Sequence, residues 1–443
     1  MHGSLELEEG CGGFRGTVPR VLTGRQIVRC GRRGRTASVA RVSAATEAAW
    51  GHGTALDDVS AQVAIAGIGE TAYSKATGRT AREIAAEAAE RAIADAGLEP
   101  GDIDGLTYSG AFADFDVAAF HEHFGTRHEI WSSPWGGGMA WAATAPYLAA
   151  AAIRERKARH VLNVFAVAWA TQRGSMTGGP GEVHAAQSLK QNLEVPFGWF
   201  PQPVYFASIM RRHMIEFGTT EQQFGAVALA CRRHANLNPA AVMHGRPMEM
   251  ADYLGAPMLA DPLRLLDSCL ISDGGAAYVT TSLERARDLP RAPVVVAGVG
   301  EGYSASGTHW ALQRAFTSTP QVFSAPGAFA MAAISPADVG VLTVYDPFTV
   351  VSLMQIEDMG FCAKGEVGGF VEGSTLHHDG GRLPFNTHGG LLSHAYVLGI
   401  AHVVEVVKQL RGTAAAQVPA CEVGVYGGYT GHMASTLVLV KDR

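Results

Sequence analysis

Two tyrosines stand at positions where this sequence could carry chemistry. Tyr345, in the motif YDPF, ends a predicted buried strand, and open α/β folds place their functional groups at the carboxyl ends of strands. Tyr396 lies in NTHGGLLSHAYVLG, beyond a glycine turn that His388 and His394 flank. A phenol has an ordinary pKa of about 10 and donates a proton readily at neutral pH, whereas a tyrosine base needs a lowered pKa or a proton relay.

Each of these residues also has a structural interpretation. Tyr345 could cap a strand, and Tyr396 could pack inside a helix because LLSHAYVLGIAHVVEVV is apolar at helical spacing. His388 and His394 could bind substrate, position Tyr396 or be ordinary polar neighbours. The pattern favours a functional role for the two tyrosines.

The distribution of cysteines limits where a thiolate nucleophile could lie. No cysteine occurs between Cys30 and Cys231, and a covalent acyl-enzyme needs an activated thiolate. Cys269 and Cys362 are predicted to be buried core residues. Six cysteines without a CxxC pair argue against a disulfide framework and against a metal site, and they fit a reducing cytoplasm.

Length and composition predict a large globular protein. With 443 residues, 47% hydrophobic and 17% charged, the chain can bury the cores of two domains or two fused halves. A net charge of -6 gives no reason to expect a nucleic acid or an anionic membrane as partner. No stretch approaches the roughly 18 apolar residues of a membrane span. A small or apolar substrate and a cytoplasmic location are predicted.

Residues 1–60 form a separate N-terminal extension in this interpretation. No acidic residue occurs from Cys11 to Thr46, where arginines accumulate among glycines and serines. That composition is typical of an organelle transit peptide. A disordered extension or an over-called start codon is the favoured alternative, and the segment is excluded from the predicted fold.

The rest of the chain contains two copies of one unit. QVAIAGIGETAYS, from Gln62, and PVVVAGVGEGYSAS, from Pro293, each precede a helix, a proline turn and a second strand. Strands that alternate with helices indicate helices packed on a mostly parallel sheet. The predicted halves are residues 62–292 and 293–443, with an inserted loop domain at about 168–260 that covers the substrate.

Several motifs in these halves resemble those of one enzyme superfamily. They are LLDSCLISDGGAAYVTTS, MGFCAKGEVGGFVEG, LPFNTHGGLLSHA and the terminal VYGGYTGHMASTLVLV. Together with the duplication they resemble the thiolase superfamily, in its sterol carrier protein X-type, lipid-transfer branch. The resemblance extends from Gln62 to Arg443. It implies a five-layered αβαβα fold built from two duplicated α/β halves.

The resemblance also shows where this chain departs from thiolases. The nucleophilic cysteine's place falls near Met139 in WSSPWGGGMAWAAT, which has no cysteine. The histidine of the HDxF turn is replaced by Tyr345, and the histidine of the GHPxG turn by Tyr396. The second cysteine's place falls near Val425, ahead of Gly428.

This pattern resembles the steroid side-chain aldolases of the branch. They lack the thiolase cysteine, carry two active-site tyrosines and cleave a β-hydroxyacyl-CoA by retro-aldol chemistry. The resemblance implies that Tyr345 and Tyr396 are the acid/base pair, with their individual roles open. Replacement of both histidines by one titratable residue type favours retained catalysis, because decay would leave unrelated substitutions.

Further site residues and partners follow from the same resemblance. Candidate oxyanion donors are the backbone amides near Gly428, Gly138 and Met139, and His388 and His394 are candidate substrate-binding residues. The substrate is an acyl-CoA, no cofactor is expected, and a homodimeric core should bind a small OB-fold and zinc-ribbon protein. Two alternatives stay open: a thiolase-like acyltransferase and a non-catalytic lipid-binding subunit.

Overall fold

The computed structural model of the protein describes residues 50–110, 115–172, 192–199, 201–307 and 312–442. These residues belong to one compact unit that spans Ser43–Arg443. Residues 1–49 of the N-terminal extension, and part of the loop domain, lie outside the described residues.

Twelve strands are described, and most of them are buried on both faces. They are β1 Gly51–Gly53, β2 Val63–Glu70, β3 Gly105–Thr107, β4 Trp131–Ser133, β5 His160–Ala168, β6 Met258–Ala260, β7 Leu263–Arg264, β8 Asp273–Ser282, β9 Val294–Ser304, β10 Val341–Val344, β11 Val423–Tyr429 and β12 Met433–Lys441.

Eleven α-helices are described between or after these strands. They are α1 Ala81–Asp95, α2 Val117–Phe124, α3 Trp141–Arg154, α4 Gln202–Phe217, α5 Glu221–Leu237, α6 Met250–Gly255, α7 Leu283–Arg287, α8 Gln321–Met331, α9 Thr349–Asp358, α10 Val367–Phe370 and α11 Ile400–Arg411.

The strand order confirms the duplication. In the first half the order is β4-β3-β5-β8-β2, and in the second it is β10-β11-β12-β9. A parallel bridge between Phe385 and Leu342 stands in the second half where β4 stands in the first. Each half also has a short 3₁₀ turn before its second strand, at Pro100–Asp102 and at Pro336–Asp338. The two halves are therefore copies of one topology.

The layers follow the thiolase-like arrangement that the sequence predicts. Helix α1 packs on β2, β5 and β8 of the first half, and α8 packs on β9 and β12 of the second half and on β1. Helices α3 and α11 contact strands of both halves and lie between them. The halves also share a short backbone pairing of β2 with β9, at Ala64 with Val295 and Ile65 with Val294. The predicted α/β, five-layered fold is confirmed. The prediction of a mostly parallel sheet is wrong, because β8 pairs antiparallel with β2 and β5, and β12 pairs antiparallel with β9 and β11, so the sheet of each half is mixed.

The repeated glycine motifs serve this packing. A Cβ at Gly67 would overlap the backbone of Ala92 in α1, and one at Gly300 would overlap the backbone of Ser324 in α8. These glycines let the outer helices approach β2 and β9 closely. This close packing explains why the two copies share the same glycine spacing, and no dinucleotide site is needed to explain it.

Residues 50–60 were predicted to belong to the N-terminal extension, but they pack on the body of the protein, on the second half through β1 and on α3 of the first half through Asp57 and Arg154. Strand β1 pairs antiparallel with β9, with Gly51 opposite Ser304. The ring of Trp50 lies 4.6 Å from that of Phe323. This edge pairing and aromatic contact extend the ordered body to Trp50, ahead of the predicted start at Gln62. None of the described helices has the length and the apolar character that crossing a bilayer needs.

Candidate active site

Tyr345 is the first residue after β10 and is almost fully buried. Its backbone N–H donates to the carbonyl of Gly427 at 2.8 Å. The side-chain amide of Gln355, in α9, donates to its carbonyl at 2.8 Å. The strand end and both backbone bonds fix the direction in which the ring leaves the sheet.

Tyr396 lies in a loop, which excludes the alternative interpretation that it packs inside a helix. The apolar pattern predicts a continuous helix from Leu391, but the structure has a π-turn at Gly390–His394 and α11 begins only at Ile400. The backbone N–H of Tyr396 donates to Ser272 Oγ at 2.7 Å, and its ring lies 4.6 Å from the ring of Trp169. Tyr396 is therefore held from both sides outside any helix.

Left-handed backbone conformations explain the interruption of the helix. Gly389 and Gly390 have φ of 114° and 63°, and Leu398 and Gly399 have φ of 49° and 82°. A right-handed helix cannot contain such residues. After the π-turn the backbone is extended at Ala395, and this short loop carries Tyr396 toward Tyr345.

The two phenols meet in the buried site. The hydroxyl oxygens of Tyr345 and Tyr396 are 3.2 Å apart, within hydrogen-bond distance. Burial raises the pKa of both phenols, and proximity to each other raises that of Tyr345 further. Both groups are therefore protonated at neutral pH in the free protein. We call Tyr345 and Tyr396 the tyrosine pair.

The site contains a thiol that is poorly suited to act as a nucleophile. Cys269 lies close enough to the tyrosine pair for its charge to affect the pKa of both phenols. Burial raises the pKa of the Cys269 thiol. Since the thiolate is the reactive form, this burial disfavours covalent catalysis by Cys269.

The turn before α3 occupies the place of the thiolase nucleophile. Met139 has a left-handed φ of 54°, its backbone N–H donates to the carbonyl of Leu398, and its carbonyl accepts from Tyr426 Oη at 2.9 Å. The Met139 amide is thus hydrogen-bonded within the protein, and its role as an oxyanion donor stays a prediction. Gly138 lies beside it, and its role remains a prediction.

Gly428 brings β11 against the same turn. A Cβ at Gly428 would lie 2.6 Å from Ala140 Cα and 2.7 Å from the carbonyl oxygen of Met139. Its own carbonyl accepts from Gln321 Nε2 at 3.1 Å. Gly428 therefore sets the distance between β11 and the turn, while its predicted role as an oxyanion donor remains a prediction.

His388 and His394 lie in a buried histidine cluster instead of beside the phenols. The ring of His388 is 4.9 Å from that of His394 and 4.4 Å from that of His402. His394 also packs edge-on against Tyr73, with ring centroids 4.5 Å apart. Within the described part of the chain, neither ring nitrogen of His388 has a hydrogen-bond partner. Both histidines therefore pack against other buried side chains. Their predicted role in substrate binding stays a prediction.

The burial of His394 predicts acid sensitivity. Burial lowers its pKa from 6.5 to about 3. Below pH 6.5 the unfolded chain takes up a proton here that the folded chain does not, so stability is lost as the pH falls from 6.5 toward 3. At pH 5 we expect this residue to cost about 2 kcal/mol of the free energy of unfolding. Between pH 7.5 and pH 5, His394→Phe should therefore lose about 2 kcal/mol less than the parent protein.

Urea unfolding of both proteins at the two pH values measures this difference. The comparison at pH 7.5 is the internal control, because it isolates what the substitution costs when the imidazole is neutral in both states. Equal losses in the two proteins would contradict the prediction.

Several residues around the tyrosine pair were not predicted from the sequence. They include Ser272 and Gln355, which fix the backbones of the pair, and the buried partners Asp346 and His402. A glutamine within the apolar helix TVVSLMQIED was a detectable signal, since a buried amide requires a partner. Ser272 gave no signal of its own. Within the described ranges, no group of three histidine, cysteine or acidic side chains is arranged to hold a metal ion.

The fold and the paired phenols define a thiolase-like protein with two tyrosines that meet in a buried site. The model of the family "Thiolase C-terminal domain-like" matches residues 302–443. A "Steroid side-chain-cleaving aldolase" of Thermomonospora curvata is 36% identical over 384 residues, which cover 86% of this chain and 98% of that protein. A "17-hydroxy-3-oxo-4-pregnene-20-carboxyl-CoA lyase" of Mycobacterium tuberculosis is 36% identical over 395 residues, covering 86% and 100%.

A solved structure is similar to this chain in both fold and sequence. The "Ltp2-ChsH2(DUF35) aldolase" superposes with a TM-score of 0.79 at 35% identity, covering 87% of this chain and 100% of that one. The chain belongs to the thiolase superfamily, in the branch that contains the steroid side-chain-cleaving aldolases. The resemblance inferred from the motifs is confirmed.

Proposed function

We propose that this chain is a carbon–carbon lyase that cleaves a bulky β-hydroxyacyl-CoA, carrying a steroid C17 side chain, to a ketone and a short acyl-CoA such as propionyl-CoA. The observation that carries the proposal is the buried phenol pair, whose hydroxyl oxygens are 3.2 Å apart. The similar proteins are named as an aldolase and a lyase, and the lyase name contains a pregnene carboxyl-CoA.

The tyrosine pair suits a retro-aldol reaction. A base accepts the proton of the β-hydroxyl group, the Cα–Cβ bond breaks, and its electrons pass to a thioester enolate while the other fragment leaves as a ketone. A proton donor then protonates Cα, so the reaction consumes no net proton. Two hydrogen-bonded phenols can supply the proton and receive one, because a proton accepted at one oxygen can pass along the bond to the other. No covalent intermediate and no cofactor are needed.

The raised pKa values of the two phenols restrict how either phenol can act as the base. A resting tyrosinate is unfavourable, since burial disfavours the charged form of both phenols. The substrate's hydroxyl proton must therefore move as a proton is delivered elsewhere in the site. This requirement explains why the chemistry uses a pair instead of a single tyrosine.

The proposal includes partners. The solved structure of similar fold names ChsH2(DUF35) together with Ltp2, which supports a small OB-fold and zinc-ribbon partner for this chain. Strand β4 is the edge of the first half's sheet, and an exposed edge is a natural pairing site for a second copy. We propose a cytoplasmic assembly with a homodimeric core, partner chains and an acyl-CoA substrate.

Mass-spectrometric product analysis tests the function. The protein, co-expressed with its OB-fold partner, is given a tertiary β-hydroxyacyl-CoA with a steroid-sized ring and no free CoA. We expect a ketone and propionyl-CoA in equal amounts. Acyl transfer that appears only when free CoA is added, without cleavage in its absence, would contradict the lyase and favour the acyltransferase.

A further inference from the structure

One buried carboxylate oxygen binds two distant points of the chain. Asp346 Oδ1 accepts a hydrogen bond from the backbone N–H of Leu391 at 2.8 Å and lies 2.9 Å from Nε2 of His402. The side chains of Asp346 and His402 are fully buried. The nearest other polar atom recorded at this carboxylate is Cys231 Sγ, 3.8 Å from Oδ2.

The order of these residues in the chain shows which segments the two hydrogen bonds connect. Asp346 directly follows Tyr345, while Leu391 precedes Tyr396 and His402 follows it. The segment that carries Tyr396 therefore begins and ends on the carboxylate of the residue next to Tyr345. This closed arrangement connects the backbones of the two tyrosines by hydrogen bonds that touch neither phenol.

Gly390 shows how closely the turn approaches the carboxylate. Its φ is 63°, and a Cβ there would overlap Asp346 Oδ2. The turn can therefore reach Asp346 only with glycine at this position. The close approach of Gly390 to Asp346 and the two hydrogen bonds on Oδ1 together fix the position of the segment that carries Tyr396.

We propose that Asp346 and His402 are positioning residues that hold the phenols of Tyr345 and Tyr396 at hydrogen-bond distance. The inference rests on the proposed function, because it assigns these residues to the reaction of the same site. In the described part of the chain, neither residue has a hydrogen bond to a phenol oxygen. Because the charge of Asp346 also raises the pKa of Tyr345, the substitutions at His402 are the ones that test geometry alone. A displacement of about 1 Å in a reacting group can cost on the order of 100-fold in rate.

Three variants test the proposal. Asp346→Asn keeps the shape but weakens both bonds on Oδ1, His402→Leu removes one donor, and His402→Gln keeps an N–H donor of similar reach. We expect kcat to fall on the order of 100-fold for His402→Leu with KM nearly unchanged, and His402→Gln to recover much of the loss. Asp346→Asn should resemble His402→Leu.

A second buried histidine–carboxylate pair provides the matched control. His213 Nε2 lies 3.1 Å from Glu357 Oε1, and both side chains are fully buried between α4 and α9. His213→Leu removes an equivalent donor at a place that does not carry the tyrosine segments. It should lower stability while leaving kcat of the folded protein unchanged.

A spectroscopic readout separates this inference from the proposed function. The full-length protein with 3-fluorotyrosine at its eleven tyrosines gives ¹⁹F signals, and Tyr345→Phe and Tyr396→Phe identify those of the pair. His402→Leu should shift both signals, and His213→Leu should not. Unshifted signals and unchanged kcat in folded His402→Leu would overturn the proposal. Shifted signals in a protein that cleaves no substrate would support the positioning role and refute the proposed function alone.

Discussion

Tyr345→Phe and Tyr396→Phe should each slow the cleavage of the steroid-sized β-hydroxyacyl-CoA by several orders of magnitude. Each variant keeps the ring and its packing but removes one hydroxyl, and the 3.2 Å hydrogen bond between the phenols is lost in both. Removal of an acid/base group typically costs about 10² to 10⁴ in rate. We expect losses of this size in kcat, with KM nearly unchanged, in steady-state assays that quantify the ketone and the acyl-CoA.

The double variant tests whether the two phenols act as one unit. If a proton passes between them, removing the second hydroxyl should add little to the loss caused by the first, because groups that act together are strongly non-additive. Independent roles would instead give a product of the two effects. The pattern of kcat in the four proteins decides between these mechanisms.

Tyr253→Phe is the matched control for these substitutions. Tyr253 is a fully buried tyrosine whose hydroxyl donates to Asp267 Oδ1 at 2.6 Å, and it lies on α6, away from the tyrosine pair. It should lose about 1 kcal/mol of stability, as for a typical hydrogen bond, with normal kcat. Retention of full cleavage by either Tyr345→Phe or Tyr396→Phe would exclude that residue from catalysis.

The fold could be predicted because its evidence is local and occurs twice. The glycine motifs after Gln62 and Pro293, and the proline turns at Pro100 and Pro336, mark equivalent elements in each half. Strand ends and glycine turns also singled out Tyr345 and Tyr396, whose hydroxyl groups meet in the structure. Such features depend on neighbours in the chain, and a single sequence displays them.

The fine structure of the site could not be predicted, because it depends on contacts between distant segments. Leu398 has a left-handed conformation and accepts from the Met139 amide, and no pattern near either residue indicates that contact. The helical period through Tyr396 was misleading for the same reason. Its apolar residues are buried by the surrounding core, and the left-handed glycines at 389, 390 and 399 break the helix that the period suggests.

Gly428→Ala should damage both the stability and the activity of the protein. The new methyl group would lie 2.6 Å from Ala140 Cα and 2.7 Å from the Met139 carbonyl oxygen. These are backbone atoms, which cannot rotate away as a side chain would, so β11 or the turn must shift. Overpacking of this kind costs about 1 to 3 kcal/mol, and we expect a loss near the upper end, about 3 kcal/mol.

The activity should fall because β11 also supports the tyrosine pair. The carbonyl of Gly427, next to the substituted residue, accepts the backbone N–H of Tyr345 at 2.8 Å. A shift of β11 therefore moves Tyr345 away from Tyr396. We expect kcat of the folded variant to fall on the order of 100-fold, measured by product analysis after the folded fraction has been determined.

Gly327→Ala is the control that separates crowding from the loss of a glycine. Gly327 lies in α8, and a Cβ there would meet no atom within 4 Å. Alanine in an uncrowded helix position stabilises a protein by about 0.5 to 1 kcal/mol relative to glycine. Urea unfolding should thus move in opposite directions for the two variants. If Gly428→Ala matched the stability and kcat of the parent protein, β11 and the Met139 turn could not approach as closely as this structure has them, and Gly428 would not set the geometry of the tyrosine pair.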